Sequence, residues 1–127
     1  MPEMHLYEYA VIRVVPKIER EEFVNVGIVL FSKKENFLEV RYHLHSEKIQ
    51  LLSPDTDLEQ IEENLLSFEK IAKGGADGGR IAEMDTASRF RWLTAVRSSC
   101  IQTTRPHSGL SPDLNTTLDK LYQDLVS

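Results

Sequence analysis

The fold of this chain is decided by one stretch, Phe23-Val24-Asn25-Val26-Gly27-Ile28-Val29-Leu30-Phe31. Its side chains are almost continuously apolar, which is typical of a β-strand that is buried on both faces. Such a strand belongs in the middle of a sheet. Asn25 interrupts the apolar run, and together with Val26-Gly27 it predicts a β-bulge or a close approach of two backbones.

Two further strands are predicted on either side of this stretch. Residues 7–15 are rich in β-branched and aromatic side chains and stop at Pro16, and residues 37–44 alternate in part between apolar and polar. The partial alternation indicates a strand with one wetter face, and the short turn at residues 33–36 favours antiparallel pairing. The first third of the chain is therefore predicted to form a β-meander.

The middle of the chain carries helical signals. Thr56 and Glu59 have the spacing of a capping box, which predicts a helix that begins near Thr56 or Asp57. One apolar stripe follows at helical spacing, formed by Leu58, Ile61, Leu65, Phe68 and Ile71 or Ala72. The helix is predicted to end at the glycine cluster of residues 74–79. This cluster has the composition of a surface connector, and it lacks both the preceding strand and the residue register of a phosphate-binding loop.

The remaining residues predict a helix, a strand and a final helix. A short helix is predicted from Asp85 or Thr86 to Leu93. A fourth strand is predicted over residues 97–104, and a turn that contains Pro106, Ser108 and Gly109 follows it. Ser111-Pro112-Asp113 predicts the last helix start, with Ser111 as N-cap. The predicted fold class is α+β, with an antiparallel sheet of about four strands packed with two to three helices.

Composition favours one ordinary globular domain over residues 1–127. The chain is 41% hydrophobic and 28% charged, and it contains a single cysteine. The opening residues have no cationic cluster and no long apolar run follows them, so we expect no signal peptide, no membrane span and a cytoplasmic location. One cysteine excludes an internal disulfide and a cysteine-based metal cluster, and no cofactor is predicted.

Charge is distributed unevenly along the chain. The net charge is −5, which argues against bulk attraction to nucleic acid, yet residues 80–110 contain five arginines and two acids. The polar side chains in and around this stretch include Arg89, Arg91, Trp92, Arg97, Ser98 and His107. Guanidinium and hydroxyl groups together can bind an anion such as a carboxylate or phosphate. The alternative is that these arginines pair with the acids of the first segment.

The histidines have two interpretations each. His107 lies in a predicted loop, where it is a general acid or base or simply a polar turn residue. His43 and His45 share one face of a strand, a spacing compatible with metal binding, but no third ligand is evident and a metal site is not predicted.

The N-terminal strands contain polar residues that need an explanation. Arg13 interrupts the first strand, Arg20 and Glu22 lie in the connection, and Asn25 interrupts the second. A structural ion pair between Arg13 and Glu22 is one interpretation. If the sheet brings Arg13, Arg20 and Asn25 close to Arg97 and His107, these residues form one polar site.

These motifs resemble the bacterial family called domain of unknown function 3037. The resemblance spans nearly the whole chain and rests on Tyr7-x-Tyr9, Ile12-Arg13-Val14-Val15-Pro16, the stretch from Arg20 to Phe31, Phe90-Arg91-Trp92-Leu93-Thr94-Ala95-x-Arg97-Ser98 and His107-x-Gly109-Leu110. It implies a bacterial protein without an assigned activity. It also implies, as a partner, a kinase-like protein of the HipA type encoded nearby.

Two functions remain open from the sequence. The first is a binding or regulatory module that recognises a partner protein or an anionic ligand through an arginine-rich face. The second is a small enzyme that acts on a phosphorylated or nucleotide substrate, with Arg91 and Arg97 as anion clamps and His107 as acid or base. The module is preferred because no recognisable nucleophile, metal cluster or acid pair is present. The oligomeric state is not predicted.

Overall fold

A computed structural model of the chain describes residues 3–95 and 99–127. Within these ranges it contains the strands β1 (His5–Val14), β2 (Val24–Ser32), β3 (Phe37–Tyr42), β4 (Ile101–Thr103) and β5 (His107–Ser111). The α-helices are α1 (Ser46–Leu52), α2 (Leu58–Lys73), α3 (Thr86–Leu93) and α4 (Leu114–Leu125). Short 3₁₀ turns lie at Ile18–Arg20, Ala76–Gly78 and Ile81–Glu83. The predicted α+β fold class is confirmed.

All the strand pairings in the sheet are antiparallel. The order is β3-β2-β1, which confirms the β-meander, and β4 and β5 both pair with the other edge of β1. β4 lies beside Ile12–Val14 of β1, and β5 lies beside His5–Tyr9. The two strands are successive parts of one edge, with residues 104–106 between them.

β2 is buried on both faces, as its sequence predicts. On one face, Val24, Val26, Val29 and Phe31 belong to a large core that also contains the apolar stripe of α2. The aromatic ring of Phe31 stacks on Phe90 of α3, with 4.7 Å between centroids. On the other face, Ile28 and Leu30 pack with Leu114 and Leu118 of α4. The sheet therefore lies between α1–α3 on one face and α4 on the other.

The polar interruption of β2 is a bulge. The register between β1 and β2 shifts where Ile12 pairs with Gly27 and Arg13 pairs with Asn25, so that Val26 is the extra residue. A Cβ atom on Gly27 would lie 2.8 Å from the Arg41 carbonyl oxygen and 2.9 Å from Tyr42 Cβ. Both predicted roles of this stretch, a bulge and a close backbone approach, are present.

The helix starts lie within two residues of the predicted ones, although the capping box predicted at Thr56 and Glu59 is wrong because Asp57 is the N-cap of α2. Asp57 accepts a hydrogen bond from the Gln60 amide and Asp85 accepts one from the Ser88 amide, as N-caps of α2 and α3. Hydrogen bonds from the Ser88 side chain and the Ser88 amide lower the pKa of the Asp85 carboxyl. α4 begins two residues later than predicted, because its N-cap is Asp113 and not Ser111. Ser111 is buried and hydrogen-bonds to Asp113.

Two elements were missed. The predicted turn at Ser108-Gly109 is wrong, because both residues lie in β5. Gly109 suits a strand here since the Tyr7 ring lies across it, and a Cβ atom would be 2.4 Å from Tyr7 Oη. α1 was also missed, because Ile49 is the one buried side chain in its seven residues and leaves no apolar periodicity. In residues 3–95 and 99–127, no helix is long and apolar enough to cross a membrane.

Candidate functional site

Three polar side chains form a row across the sheet. Arg13 of β1 pairs with Asn25 of β2 on one side and with Gln102 of β4 on the other. Ile12 and Val14 face the core under α2 and α3, so Arg13 between them points to the opposite face. This is the α4 face, near the C-terminal end of that helix. The row, defined as Arg13, Asn25 and Gln102, is built by strand register alone.

The Arg13 guanidinium stacks on an aromatic ring, and its Nε has no partner among the described residues. Its Cζ lies 4.0 Å from the centroid of the Phe23 ring, a cation–π contact. Its Nε is buried and has no hydrogen-bond partner in the described part of the chain. Stacking covers the face of the guanidinium, whereas its N–H donors lie in the plane of the group. Arg13 is therefore held in position with an unused donor.

A cavity lies beside this guanidinium. It has a volume of about 240 Å³ and is lined by Arg13, Val15, Ile18, Glu21, Phe23 and Gln102. We call it the Arg13 cavity. On the other side of Phe23 lies a second depression of about 230 Å³, lined by Phe23, Val24, Asn25, Lys48, Leu125 and Val126. Phe23 separates the two and is 47% exposed.

Asn25 connects the row to α4. Its Nδ2 donates to the Leu125 carbonyl oxygen over 3.2 Å, at the last turn of the helix. Its Oδ1 is buried and accepts no hydrogen bond from residues 3–95 or 99–127. The orientation of this amide group is thus set by the helix end, and its acceptor stays without a partner in the described part of the chain.

Arg20 lies apart from the row. Its Nε donates to Glu22 Oε1 in an exposed pair, and this hydrogen bond lowers the pKa of the Glu22 carboxyl. The predicted ion pair between Arg13 and Glu22 is therefore wrong. The connection forms the turn Ile18–Arg20 and Glu21 adopts a left-handed backbone (φ 57°), so that Glu22 lies next to Arg20 while Phe23 covers Arg13.

The arginines of α3 have other roles. The Arg89 guanidinium donates to the carbonyl oxygens of Ile71 (3.0 Å), Ala72 (2.7 Å) and Met84 (3.0 Å), and also to Thr86 Oγ1. It therefore binds the C-terminal end of α2, where carbonyl groups lack helical partners. Arg91 is exposed and donates to Ser88 Oγ over 3.1 Å.

The other residues predicted from the second half do not join Arg13 in one pocket. Trp92 packs edge-on to Phe68 of α2, with 6.3 Å between centroids. The His107 ring lies against Tyr9, 5.4 Å between centroids, on the α4 face of the sheet. Arg91 and His107 thus lie on opposite sides of the sheet. Arg97 and Ser98 lie outside the described residues.

The two neighbouring histidines contact each other. The rings of His43 and His45 meet edge to face at 4.7 Å, and His45 Nε2 hydrogen-bonds to the Val126 carbonyl oxygen over 2.8 Å. Because a carbonyl only accepts, this nitrogen carries the proton. In the described ranges no three His, Cys, Asp or Glu side chains are grouped so as to hold a metal ion.

A larger groove lies on the other face of the sheet. It has a volume of about 610 Å³ and is lined by Leu6, Tyr7, Glu8, Phe31, Lys33, Lys34 and Ser108. Leu6 and Leu110 pair across β1 and β5, and both are exposed. The groove lies at the end of the sheet, beyond α3. It is more apolar than the Arg13 cavity and has no unpaired buried polar atom among the described residues that line it.

A comparison with models of protein families shows the family of this chain. Residues 9–126 match the model of the family described as Protein of unknown function (DUF3037). The chain belongs to the DUF3037 family. Neither a curated protein nor a solved structure gives a significant match to it. The family assignment therefore names a sequence group and no activity.

In this DUF3037 chain, the sequence predicted Arg13 and Asn25 as site residues but missed three others. Phe23, Glu21 and Gln102 line the Arg13 cavity, whereas Asn25 lines the adjoining depression. Phe23 was interpreted as the first apolar residue of a central strand, although the strand begins at Val24. Gln102 is identified only by its pairing with Arg13, which depends on the register of two strands that are distant in sequence.

Proposed function

We propose that this chain is a binding module that recognises an anionic group of a partner through Arg13, with Asn25 and Gln102 beside it. The observation that carries the proposal is the buried Arg13 Nε without a partner among residues 3–95 and 99–127, next to a cavity. The binding function predicted from the sequence is kept. Its location moves from the arginine-rich stretch to the row across the sheet.

Energetics favour a ligand at this position. An anion in the cavity that Arg13 lines can accept charge-assisted hydrogen bonds from the guanidinium, which are about twice as strong as neutral ones. The Phe23 contact already fixes the guanidinium, so less side-chain entropy is lost on binding.

The enzyme alternative is supported less well by the geometry. It requires Arg91 and His107 around one substrate, and these residues lie on opposite sides of the sheet. Glu21 is the one acid or base among the described residues that line the Arg13 cavity, and it has no second group to form a catalytic pair. We therefore propose recognition and not turnover.

The partner belongs to the same proposal. A cytoplasmic protein is the expected partner class, and the HipA-type kinase-like protein implied by the family resemblance is the first one to test. Nucleic acid is disfavoured, since the net charge is −5 and the row has a single cation.

An NMR titration tests the proposal. We expect sodium acetate or sodium phosphate, added at constant ionic strength, to shift the backbone amide signals of Arg13, Asn25 and Gln102 in a saturable manner. Arg13→Gln should abolish these shifts. Arg20→Gln is the matched control and should retain them, because Arg20 is exposed and paired with Glu22. Absence of clustered shifts in the native chain, or their persistence in Arg13→Gln, would overturn the proposal.

A further inference from the structure

We infer that the group bound at Arg13 is the carboxylate of an apolar segment of a partner protein. This inference rests on the proposed function and specifies its ligand. Three observations carry it: the charge of the cavity wall, the size of the cavity and the apolar side chains around it.

The charge of the wall favours a monoanion. Among the described residues that line the Arg13 cavity, Arg13 is the one cation and Glu21 is the one acid. A carboxylate brings one negative charge, whereas a phosphate monoester brings about 1.5–2 at pH 7. The one guanidinium can match the single charge of a carboxylate, whereas a dianion adds a second negative charge that Glu21 also repels.

The planar geometry of the donors agrees with this charge argument. A guanidinium presents its N–H groups as a fork in one plane, which matches the two oxygens of a carboxylate. The Phe23 ring covers the face of the Arg13 guanidinium and leaves that plane for a ligand. A carboxylate in the cavity that Arg13 lines would lie along this edge of the guanidinium.

The size of the cavity favours one group of a larger molecule. Pockets that enclose a whole small-molecule ligand have volumes of about 300–1,000 Å³. The Arg13 cavity, with about 240 Å³, is smaller. It accommodates a carboxylate and the atoms next to it, while the rest of the ligand lies on the surface outside.

That surface mixes exposed apolar side chains with polar ones on both sides of Phe23. Ile18 and Phe23 beside the Arg13 cavity are 44% and 47% exposed, and Leu125 in the adjoining depression is 37% exposed. Apolar side chains around a cation suit an apolar peptide that ends in, or carries, a carboxylate. The chain terminus of a partner protein combines both features.

Matched peptides test the inference on the full-length chain. The probes are N-acetyl-Ser-Val-Leu with a free C-terminal carboxylate, the same peptide as its C-terminal amide, sodium acetate and sodium phosphate. We expect the free-acid peptide to bind at least about tenfold more tightly than the amide, because the charge-assisted hydrogen bonds to Arg13 are lost in the amide. We also expect it to bind more tightly than acetate, and acetate more tightly than phosphate.

Two variants separate the contribution of the apolar surface from that of the charge of the cavity wall. Phe23→Ser should reduce the preference for the peptide over acetate, whereas Glu21→Gln should raise phosphate affinity severalfold and change acetate affinity less. Leu51→Ser is the control for an exposed apolar residue outside both depressions.

The outcomes distinguish the inference from the proposed function. If phosphate shifts the Arg13, Asn25 and Gln102 signals and the carboxylates do not, the carboxylate inference is overturned and anion recognition stands. If the free-acid peptide binds no better than acetate, the inference that the ligand is an apolar segment is overturned. If no probe shifts these signals, both are overturned.

Discussion

Arg13 and Arg89 are both partly buried arginines, one on each side of the sheet, and they differ in what their donors contact. Arg89 donates to three carbonyl oxygens and a hydroxyl, and so joins the ends of α2 and α3. Arg13 contacts the Phe23 ring, and its buried Nε has no acceptor in the described residues. The partners of the donors, and not the presence of an arginine, therefore separate a structural arginine from a candidate for binding.

Removal of Arg89 should have the largest effect on stability. Arg89→Ala leaves the carbonyl groups of Ile71 and Ala72 without their charged donor, and we expect a loss of about 3 kcal/mol in the free energy of unfolding. Urea unfolding measures this loss. A loss below about 1 kcal/mol would mean that Arg89 does not stabilise the fold in the way its hydrogen bonds indicate.

Removal of Arg13 should affect binding and leave stability nearly unchanged. Arg13→Met keeps an unbranched side chain under Phe23 and removes the unpaired donor, so the free energy of unfolding should change by less than about 1 kcal/mol. Binding of carboxylate probes should be lost. A destabilisation as large as that of Arg89→Ala would show that Arg13 is a structural residue like Arg89.

An internal acceptor should compete with the ligand. Asn25→Asp is nearly isosteric and adds a carboxylate next to Arg13, with which it pairs across the strands. We expect affinity for carboxylate probes to fall at least about tenfold at pH 7.

Calorimetric titration at pH 7 measures this loss of affinity, with the native chain as the control. Unchanged affinity at pH 7 would contradict a role for Arg13 in binding.

The exposed pair of Arg20 and Glu22 should give the smallest effect. The pKa of Glu22 is lower in the folded chain than its ordinary value, mainly through the hydrogen bond from Arg20. The pair therefore contributes stability above the ordinary glutamate pKa, and this contribution is lost as the pH falls through the lowered value. Arg20→Gln should return the Glu22 pKa toward its ordinary value, measured by NMR titration of the carboxyl carbon. An unmoved pKa would refute the pairing.

The sequence predicted those parts of the fold that depend on local patterns. The apolar run of β2, the aspartate caps of α2 and α3 and the bulge at Asn25 to Gly27 each have a signal within a few residues. β5 was missed because its Ser108-Gly109 pair has turn chemistry, and only the Tyr7 ring across Gly109 explains the glycine in a strand.

The candidate site was predicted less completely for a related reason. Arg13 and Asn25 stood out as polar interruptions of apolar strands, so the sequence alone identified them. Gln102 enters the row only through the register of β4 with β1, about ninety residues apart in the chain. The proximity of Arg91 and His107 in sequence suggested one face, but the sheet separates them.

The most direct test observes both arginines in one spectrum. The Nε–H signals of Arg13 and Arg89 can be resolved and assigned in a ¹H–¹⁵N spectrum of the full chain, with Arg13→Lys and Arg89→Lys as assignment variants. On titration with the free-acid peptide, we expect a saturable shift of the Arg13 Nε–H signal and a stationary Arg89 signal. A stationary Arg13 signal, or equal shifts of both, would contradict this expectation.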